Sequence, residues 1–199
     1  MNTVITISRS FSSGGREIAK RLADELNFAY YDRELIDAIS EETGLSKDYV
    51  EQFSESNISR VFPIHIAQTF IMPVTMPSDS LQITQTNIIK RVAEKGNCVI
   101  VGRRADYILR EKNALKVFIY ASDMDERIER CYKKVPTDRV KSPKEITKEI
   151  QKVDKTRAKY YNYYTDQNWG SMQNYNLCID TSVIDIKKAV EIIIAALNI

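Results

Sequence analysis

The chain has 199 residues, of which 43% are hydrophobic and 28% are charged, and its formal net charge at pH 7 is +2. This length and composition predict one globular domain with a sizeable core and exclude a disordered or fibrous chain. The small net charge does not by itself indicate a nucleic-acid partner, and no apolar run reaches the roughly 18 residues that a membrane-spanning helix needs.

The N-terminal segment orders a strand, a loop and a helix as phosphate-binding proteins do. Residues 4–7 are an apolar, β-branched run that predicts a buried strand, and residues 8–15 form a loop rich in small side chains. Apolar residues then recur at helical spacing over residues 14–26. Small residues let backbone N–H groups turn inward, and the helix N-terminus adds its positive dipole end. The segment therefore predicts a phosphate-binding loop.

The loop departs from the full motif, G-x-x-x-x-G-K-[ST], in which the lysine reaches the β- and γ-phosphates and the hydroxyl reaches Mg²⁺. The second glycine of the motif is Gly14, but Gly15 stands at the lysine position. Arg16 and Glu17 follow, so the hydroxyl is missing as well. Any function assigned to the loop has to accommodate that loss.

The rest of the chain alternates apolar runs with helical periodicity. The further apolar runs lie at residues 28–31, 98–101, 117–120 and 177–179. None alternates strictly, which is typical of parallel strands covered on both faces. The predicted helices span residues 14–26, 32–42, 81–95, 124–134, 143–165 and 184–197. This order predicts an α/β fold with a doubly wound parallel sheet, whose ligands bind at the carboxyl ends of the strands.

Three polar residues fit the starts of predicted helices. Asp32 and Ser142 are predicted N-caps, and the Asp123 carboxylate suits the first turn of the helix that follows it. Each offers a side-chain oxygen to the backbone N–H groups that a first helical turn leaves without partners.

Residues 57–80 do not fit the alternation of strands and helices. They include Pro63, Pro73 and Pro77, and their only formal charges are Arg60 and Asp79. The segment is either an acceptor-binding subdomain or a connecting loop or subunit contact, and the sequence leaves both open.

Residues 133–159 are strongly basic, with ten Lys or Arg against four Asp or Glu. Lys144, Lys148 and Lys152 repeat every four residues, which is typical of a solvated helical face. The alternative is a lid whose cations close on phosphates. Arg157, three residues after Asp154 on the same helix face, slightly favours the lid.

An aromatic cluster follows this basic region and consists of Tyr160, Tyr161, Tyr163, Tyr164 and Trp169. Residues three or four apart share a helix face, so the cluster is expected to pack in the core. Base stacking and a hinge for a lid are the alternatives. A nucleic-acid role needs a basic face running past the rings, and one short basic helix supports that poorly.

The cysteines, Cys98, Cys131 and Cys178, are odd in number, widely spaced and set among apolar or helical neighbours. We expect reduced, mostly buried thiols of a cytosolic protein. His65 is the one histidine in the sequence, which argues against a His/Cys metal site.

Several short motifs occur in a characteristic order along the chain. After residues 4–26 come Tyr31-Asp32, VIVGR at residues 99–103, Ala121-Ser122 with ERIER at residues 126–130, Asp154-x-x-Arg157 and Ile179-Asp180-Thr181. Together they resemble the cytidylate kinase-like family, a branch of the P-loop nucleoside monophosphate kinases. The resemblance covers nearly the whole chain except residues 57–80. It implies a single P-loop NTPase-like domain with a five-stranded parallel sheet, flanking helices, a small acceptor-binding insert at about residues 45–85 and a helical lid at about residues 133–160.

The resemblance also assigns roles on the side of the nucleotide donor. It implies that ATP and Mg²⁺ are the cofactors, with Asp32 holding hydrated Mg²⁺ through water. The clamp of the lid would consist of Arg127, Arg130 and Arg157, because arginine binds phosphate bidentately. The phosphates of the donor would lie against Ser10, Ser12, Ser13, Gly14, Gly15 and Arg16. Glu17 belongs to the same donor site, either as an acidic partner for the helix N-terminus or as a direct Mg²⁺ ligand.

On the acceptor side, the resemblance assigns the phosphate of the acceptor to Arg103, with Asp32 nearby. The family's Gly-Arg-Asp motif reads Gly102-Arg103-Arg104 here, and Asp106 lies two residues further along. The expected catalytic residues are Arg16, Asp32 and Arg157. Arg16 is included because its side chain is long enough to swing back toward the γ-phosphate.

The expected function is transfer of the ATP γ-phosphate to a CMP- or dCMP-like nucleoside monophosphate or a related small molecule. The alternatives are a catalytically impaired, nucleotide-binding regulatory protein and an oligomeric interaction module. The expected partners are a nucleotide and a small phosphorylated acceptor in the cytoplasm, without nucleic acid or membrane, and a homo-oligomer is left open.

Overall fold

One parallel sheet organises the chain, which a computed structural model describes over residues 2–52, 77–133 and 142–197. Neighbouring strands are parallel and lie in the order β2-β3-β1-β4-β5. The five-stranded parallel sheet expected from the apolar runs is confirmed. The strands are β1 (Val4–Arg9), β2 (Ala29–Tyr31), β3 (Cys98–Val101), β4 (Ala114–Tyr120) and β5 (Leu177–Asp180).

Helices connect these strands and cover both faces of the sheet. The six predicted helices are present, and the one expected from residue 81 begins four residues earlier, at Pro77. Two more, α3 and α5, have only six and four residues, too few to show a helical period in the sequence. The helices are α1 (Gly15–Leu26), α2 (Glu34–Thr43), α3 (Lys47–Gln52), α4 (Pro77–Lys95), α5 (Ala105–Ile108), α6 (Met124–Tyr132), α7 (Pro143–Thr165) and α8 (Ile186–Ala196).

Strand β3 shows why the apolar runs do not alternate in polarity. Cys98 and Ile100 point into a core formed with α2, α3 and α4, whereas Val99 and Val101 point into a second core formed with α1 and α8. Because both faces of the strand are buried, both sets of side chains have to be apolar.

Helices α6 and α7 pack together through a smaller third core. Ile128 of α6 contacts Ile146 and Ile150 of α7, and the ring of Phe11 packs against the same cluster. The start of α7 is fixed by a capping box in which Ser142 and Glu145 each accept a hydrogen bond from the other's backbone N–H. Asp123 caps α6 through the backbone N–H of Asp125, 2.8 Å away, as predicted.

Two local expectations are wrong. Asp32 is not the N-cap of α2, because that helix starts after Arg33 and the Asp32 carboxylate is held by Arg16 instead. The cysteines are free thiols, but Cys178 is exposed and Cys131 only half-buried. Cys98 is buried, and burial raises the pKa of its thiol to about 11.

Other expectations concern residues outside the described ranges. His65 and residues 57–76 lie there, so the alternatives for the insert stay open. Within the described part of the chain, no helix combines the length and apolarity that crossing a membrane requires.

Candidate active site

The predicted phosphate loop connects the end of β1 to α1 at the carboxyl edge of the sheet. The backbone N–H of Ser10 donates to the Ile119 carbonyl and that of Ile18 to the Gly14 carbonyl. Between them, the N–H groups of residues 12–17 donate to no acceptor among the described residues. A run of unpaired amides at a helix N-terminus is the arrangement that binds phosphate.

Side-chain hydroxyls hold the loop in shape from the protein side. The single hydroxyl hydrogen of Ser13 is shared between two carbonyl acceptors, with Oγ 2.9 Å from the Ser10 oxygen and 3.1 Å from the Ile119 oxygen. Thr181 Oγ1, beyond the end of β5, donates to the Ser13 carbonyl at 2.7 Å. Gly14 completes the turn with a φ of 80°, in the left-handed region that favours glycine.

The loop surrounds a pocket of about 80 Å³. Ser10 is buried, with 7% of its surface exposed. Its hydroxyl has no hydrogen-bond partner among the described residues. A buried polar atom without a partner is rare, so this hydroxyl fits an oxygen of a bound phosphate. The residues around the pocket are Arg9, Ser10, Phe11, Ser12, Ser13, Gly14, Gly15, Arg16 and Arg157.

Arg16 joins the start of α1 to the end of β2 through a bidentate ion pair with Asp32. Arg16 Nε lies 2.6 Å from Asp32 Oδ2, and its Nη2 lies 3.3 Å from Oδ1. The Asp32 side chain is 10% exposed and that of Arg16 is 54% exposed, so the arginine can move while the carboxylate stays in place. Burial, followed by the Asp32 charge, raises the pKa of the neighbouring Tyr30 to about 12.

Of the three arginines that the resemblance assigned to a lid, Arg157 reaches the pocket. Its Nη1 donates to the Arg9 carbonyl at 3.1 Å, and its guanidinium lies 5.8 Å from the centre of the Phe11 ring. By contrast, Lys144, Lys148, Lys152, Lys155 and Lys159 are exposed, so the lysines of α7 form a solvated face.

Arg127 fastens the loop to α7 instead of lining the pocket. Its Nε and Nη2 donate to the Phe11 carbonyl at 2.8 and 2.6 Å, and Nη2 also forms an ion pair with Asp154. Asp154 Oδ1 in turn accepts the Phe11 N–H at 2.6 Å. We call Arg127, Asp154 and the backbone of Phe11 the loop latch. The sequence indicated that Asp154 shares a helix face with Arg157, but nothing in it indicated this contact with the loop.

Arg130, the third lid arginine, also lies away from the lining of the pocket. Its Nη2 donates to the Thr181 carbonyl at 2.9 Å and lies 3.4 Å from Glu126 Oε2. Arg127 and Arg130 therefore support the loop from behind, and their predicted contact with phosphate stays a prediction. Glu17 is similarly engaged on the surface of α1 with Arg21, at 2.8 Å.

A second group of arginines follows β3 at the same edge of the sheet. Gly102, Arg103 and Arg104 all have positive φ values, of 70°, 55° and 50°. Arg103 and Arg104 are not glycines, so their positive φ values strain the backbone, and such strain tends to occur at functional sites. The turn directs both buried guanidinium groups toward α4, where Arg103 contacts Gln85 at 3.4 Å and Arg104 contacts Gln82 at 3.1 Å.

The aromatic cluster divides between the core and this arginine group. Tyr160 and Tyr161 are buried, as expected, whereas Tyr163 is 64% exposed. The ring of Tyr164 lies 4.8 Å from the Arg104 guanidinium, and Trp169 packs edge-on against Phe118.

Asp106 does not replace the missing acidic residue of the Gly-Arg-Asp motif at the surface of the pocket. It is 2% exposed and accepts hydrogen bonds from Ser8 Oγ at 3.2 Å and from the Tyr161 hydroxyl at 2.6 Å. Burial and the Asp106 charge raise the pKa of Tyr161, whose protonated hydroxyl ties α7 to Asp106 of α5.

The residues present fit a triphosphate better than they fit a tightly ligated metal. Among the residues described, no group of three or more His, Cys, Asp or Glu side chains is placed to hold a metal ion. Asp32 alone suits Mg²⁺ bound through water, because Mg²⁺ usually retains several water ligands. Arg16 contacts both oxygens of that carboxylate and would have to release at least one.

The parallel sheet, its strand order and the loop at the end of β1 define a P-loop NTPase-like fold. The sequence pattern of the cytidylate kinase-like family matches residues 4–183, and the chain belongs to that family. No protein with a curated description matches the chain at a significant level.

Similar solved structures extend over the whole chain. An uncharacterized protein from Eubacterium ventriosum ATCC 27560 is 27% identical, with a TM-score of 0.70 and 98% of each chain covered. Shikimate kinase from Bacteroides thetaiotaomicron is 17% identical, with a TM-score of 0.58 and 99% of each chain covered. Shikimate kinase from Aquifex aeolicus is 18% identical, with a TM-score of 0.52 and 98% of this chain and 96% of that chain covered. At these lower identities the two shikimate kinases support the fold alone.

Replacing Gly14 with valine should abolish the stabilisation by ATP. A Cβ at Gly14 would lie 2.5 Å from Ile186 Cδ1, so that side chain would have to turn away. The φ of 80° is strained for a β-branched residue, which disfavours the present shape of the loop. The measurement is the rise in melting temperature with ATP. Gly44→Val is the matched control, because Gly44 has a φ of 69° but nothing within 4 Å of its Cβ position. An ATP-dependent shift that survives in Gly14→Val would exclude the loop as the site.

Replacing Asp154 with alanine should lower the free energy of unfolding by about 3 kcal/mol, because it leaves the Arg127 charge unpaired in a mostly buried position. Urea unfolding measures this loss. The control is Asp24→Ala, which breaks the exposed pair with Lys20 and should cost less than about 0.5 kcal/mol. Equal losses in the two variants would show that the loop latch contributes nothing beyond a surface ion pair.

Proposed function

We propose that this protein is a phosphotransferase that moves the γ-phosphoryl group of ATP to a small acceptor, with CMP- and dCMP-like nucleoside monophosphates as the first candidates. The observation that most supports this proposal is the run of unpaired amides over residues 12–17 beside the buried Ser10 hydroxyl, which has no partner among the described residues. Membership of the cytidylate kinase-like family supports the reaction class.

In the proposed reaction, an oxygen of the acceptor forms a bond to the γ-phosphorus of ATP. The bond from that phosphorus to the β–γ bridging oxygen breaks, and the electron pair remains on the β-phosphate of ADP. A phosphate acceptor attacks as an anion, whereas a hydroxyl acceptor releases its proton to solvent. Catalysis of this step consists largely of positioning and of neutralising charge on the phosphates.

The loop amides provide the positioning in this proposal. Ser12, Ser13, Gly14 and Gly15 would donate backbone N–H groups to the β-phosphate, and Ser10 its hydroxyl. Because these groups belong to a loop that the protein already holds in shape, little has to be ordered when the nucleotide binds.

The arginines provide the charge. Arg157 already lies at the pocket, and Arg16 would leave Asp32 to contact the γ-phosphate. When bound with ATP, Mg²⁺ would screen the phosphate charges, and the released Asp32 would hold its hydration shell. Arg103 would bind the acceptor phosphate, because it lies at the end of β3, the strand adjacent to β1.

One observation favours the alternative, a nucleotide-binding regulatory protein. The motif lysine and hydroxyl are absent, and the nearest exposed cation, Arg16, is bound to Asp32. Such a protein would bind ATP through the same amides without transferring phosphate.

Arg16→Ala should lower turnover by roughly 10²- to 10⁴-fold if Arg16 neutralises charge in the transition state. ATP affinity should change much less, because the backbone amides carry ground-state binding. Transfer from labelled ATP to CMP, dCMP and a panel of other nucleoside monophosphates measures turnover, and Lys188→Ala, on the exposed face of α8, is the control. Clear ATP binding without transfer by the unmodified protein would favour the regulatory alternative, and full activity in Arg16→Ala would exclude the role of Arg16.

Arg157→Ala should weaken binding of a non-hydrolysable ATP analogue by about tenfold or more, the scale of one charge-assisted hydrogen bond. Lys148→Ala, on the exposed face of the same helix, should change it less than about twofold because exposed charges contribute little. Calorimetric titration of both variants measures the difference. Arg157→Lys should retain part of the affinity that Arg157→Ala loses. Equal effects of the alanine substitutions at Arg157 and Lys148 would show that α7 is only a charged surface and does not contact the nucleotide.

A further inference from the structure

Two departures from the phosphate-loop motif lie directly against each other in the structure. The motif begins with a glycine five positions before its second glycine, Gly14, and that position is occupied by Arg9. The motif lysine, directly after the second glycine, is replaced by Gly15. The chain therefore carries a long cation where the motif has glycine, and a glycine where the motif has a long cation.

The packing around Gly15 explains why the two changes occur together. A Cβ on Gly15 would lie 2.6 Å from Arg9 Cβ and 3.2 Å from Arg9 Cγ, with Ile119 Cβ also at 3.2 Å. The first distance is far below van der Waals contact, and both partners are stiff parts of the structure: the base of a side chain and a strand residue. No side chain at position 15 is compatible with Arg9 in this loop.

The same distances show where the Arg9 side chain begins. Its Cβ and Cγ occupy the space in which the side chain of a residue at position 15 would start. Arg9 is 8% exposed and contributes to the wall of the phosphate-loop pocket, together with Arg16 and Arg157.

The charge of Arg9 also acts at the carboxyl end of β2. Burial and the Asp32 carboxylate raise the pKa of Tyr30 to about 12, and the positive charges of Arg16 and Arg9 act in the opposite direction. Arg9 therefore contributes positive potential in the same region as Arg16 and Asp32.

We propose that Arg9 supplies the positive charge of the missing motif lysine, its side chain starting from the opposite side of the loop. The inference rests on the proposed function, since it names the cation that contacts the donor phosphates in that site. Arg9 and Arg16 then share the lysine's role: Arg9 from a fixed, buried position and Arg16 from an exposed one. Gly15 is required because it leaves room for Arg9.

A double-mutant cycle separates this proposal from its alternatives. The variants are Arg9→Gly, Gly15→Lys and the combination of both, which restores the motif at these two positions. Gly15→Lys alone should lower the melting temperature strongly, because of the clash with Arg9. Adding Arg9→Gly should recover most of that loss. If Gly15→Lys is as stable as the unmodified protein, or if the double variant is no more stable than Gly15→Lys, then Arg9 is not what excludes a side chain at position 15.

Arg9→Met tests the charge separately from the packing, because methionine keeps an unbranched buried stem without the guanidinium. The readout is binding of the non-hydrolysable ATP analogue relative to AMP, measured by calorimetry on protein that remains folded. Arg9→Met should lose about tenfold or more of the preference for the triphosphate, whereas Arg9→Lys should retain most of it.

An unchanged preference for the triphosphate in Arg9→Met would overturn the proposal and leave Arg9 as a packing residue. Recovery of the preference in the combined Arg9→Gly and Gly15→Lys variant, relative to Arg9→Gly alone, would support it directly. These outcomes depend on binding and stability, whereas the proposed phosphotransferase function depends on transfer to an acceptor. The two can therefore fail independently.

Discussion

The candidate site depends on one constraint: the phosphate loop has to be held so that its amides face away from the protein's own acceptors. An isolated loop of serines and glycines would turn its N–H groups toward neighbouring carbonyls or water. Here Thr181 and the hydroxyl of Ser13 fix the side of the loop next to the sheet, and the loop latch fixes the outer side at Phe11. The free amides of residues 12–17 follow from that arrangement.

The arginines at this edge of the sheet have different tasks because they differ in burial and in partners. Arg127 binds a carbonyl and a carboxylate and so fixes the loop, while Arg157 binds the Arg9 carbonyl and lies at the pocket. Arg16 is mostly exposed and paired with Asp32. A guanidinium remains charged in all of these surroundings and offers several donors in one plane, which allows one residue type to tie the loop in one place and to line the pocket in another.

The sequence predicted the fold well, because the apolar runs of β1 and β3 record burial on both faces of a parallel sheet. It also predicted the order of strand, loop and helix at the N-terminus, because the small residues separate an apolar run from a helical pattern. It did not predict which arginines face the pocket. Arg127 lies on α6 and Arg157 on α7, and their partners depend on how these two helices pack around Ile128 and Ile150. The spacing of residues along one helix does not indicate how that helix packs against another.

Asp32 is a single residue whose contacts could not be predicted from the local sequence. An aspartate just before an apolar helical pattern is a reasonable N-cap, yet its carboxylate instead accepts two contacts from Arg16, which lies sixteen positions earlier. A salt bridge to a residue that is largely exposed gains little net stability, so the Arg16–Asp32 pair contributes little to folding. In the proposed reaction, the pair shields Asp32 until a triphosphate offers Arg16 a more highly charged partner. Under that proposal, Asp32 would become available to hold hydrated Mg²⁺ only once the nucleotide is bound, so donor binding would come before metal binding.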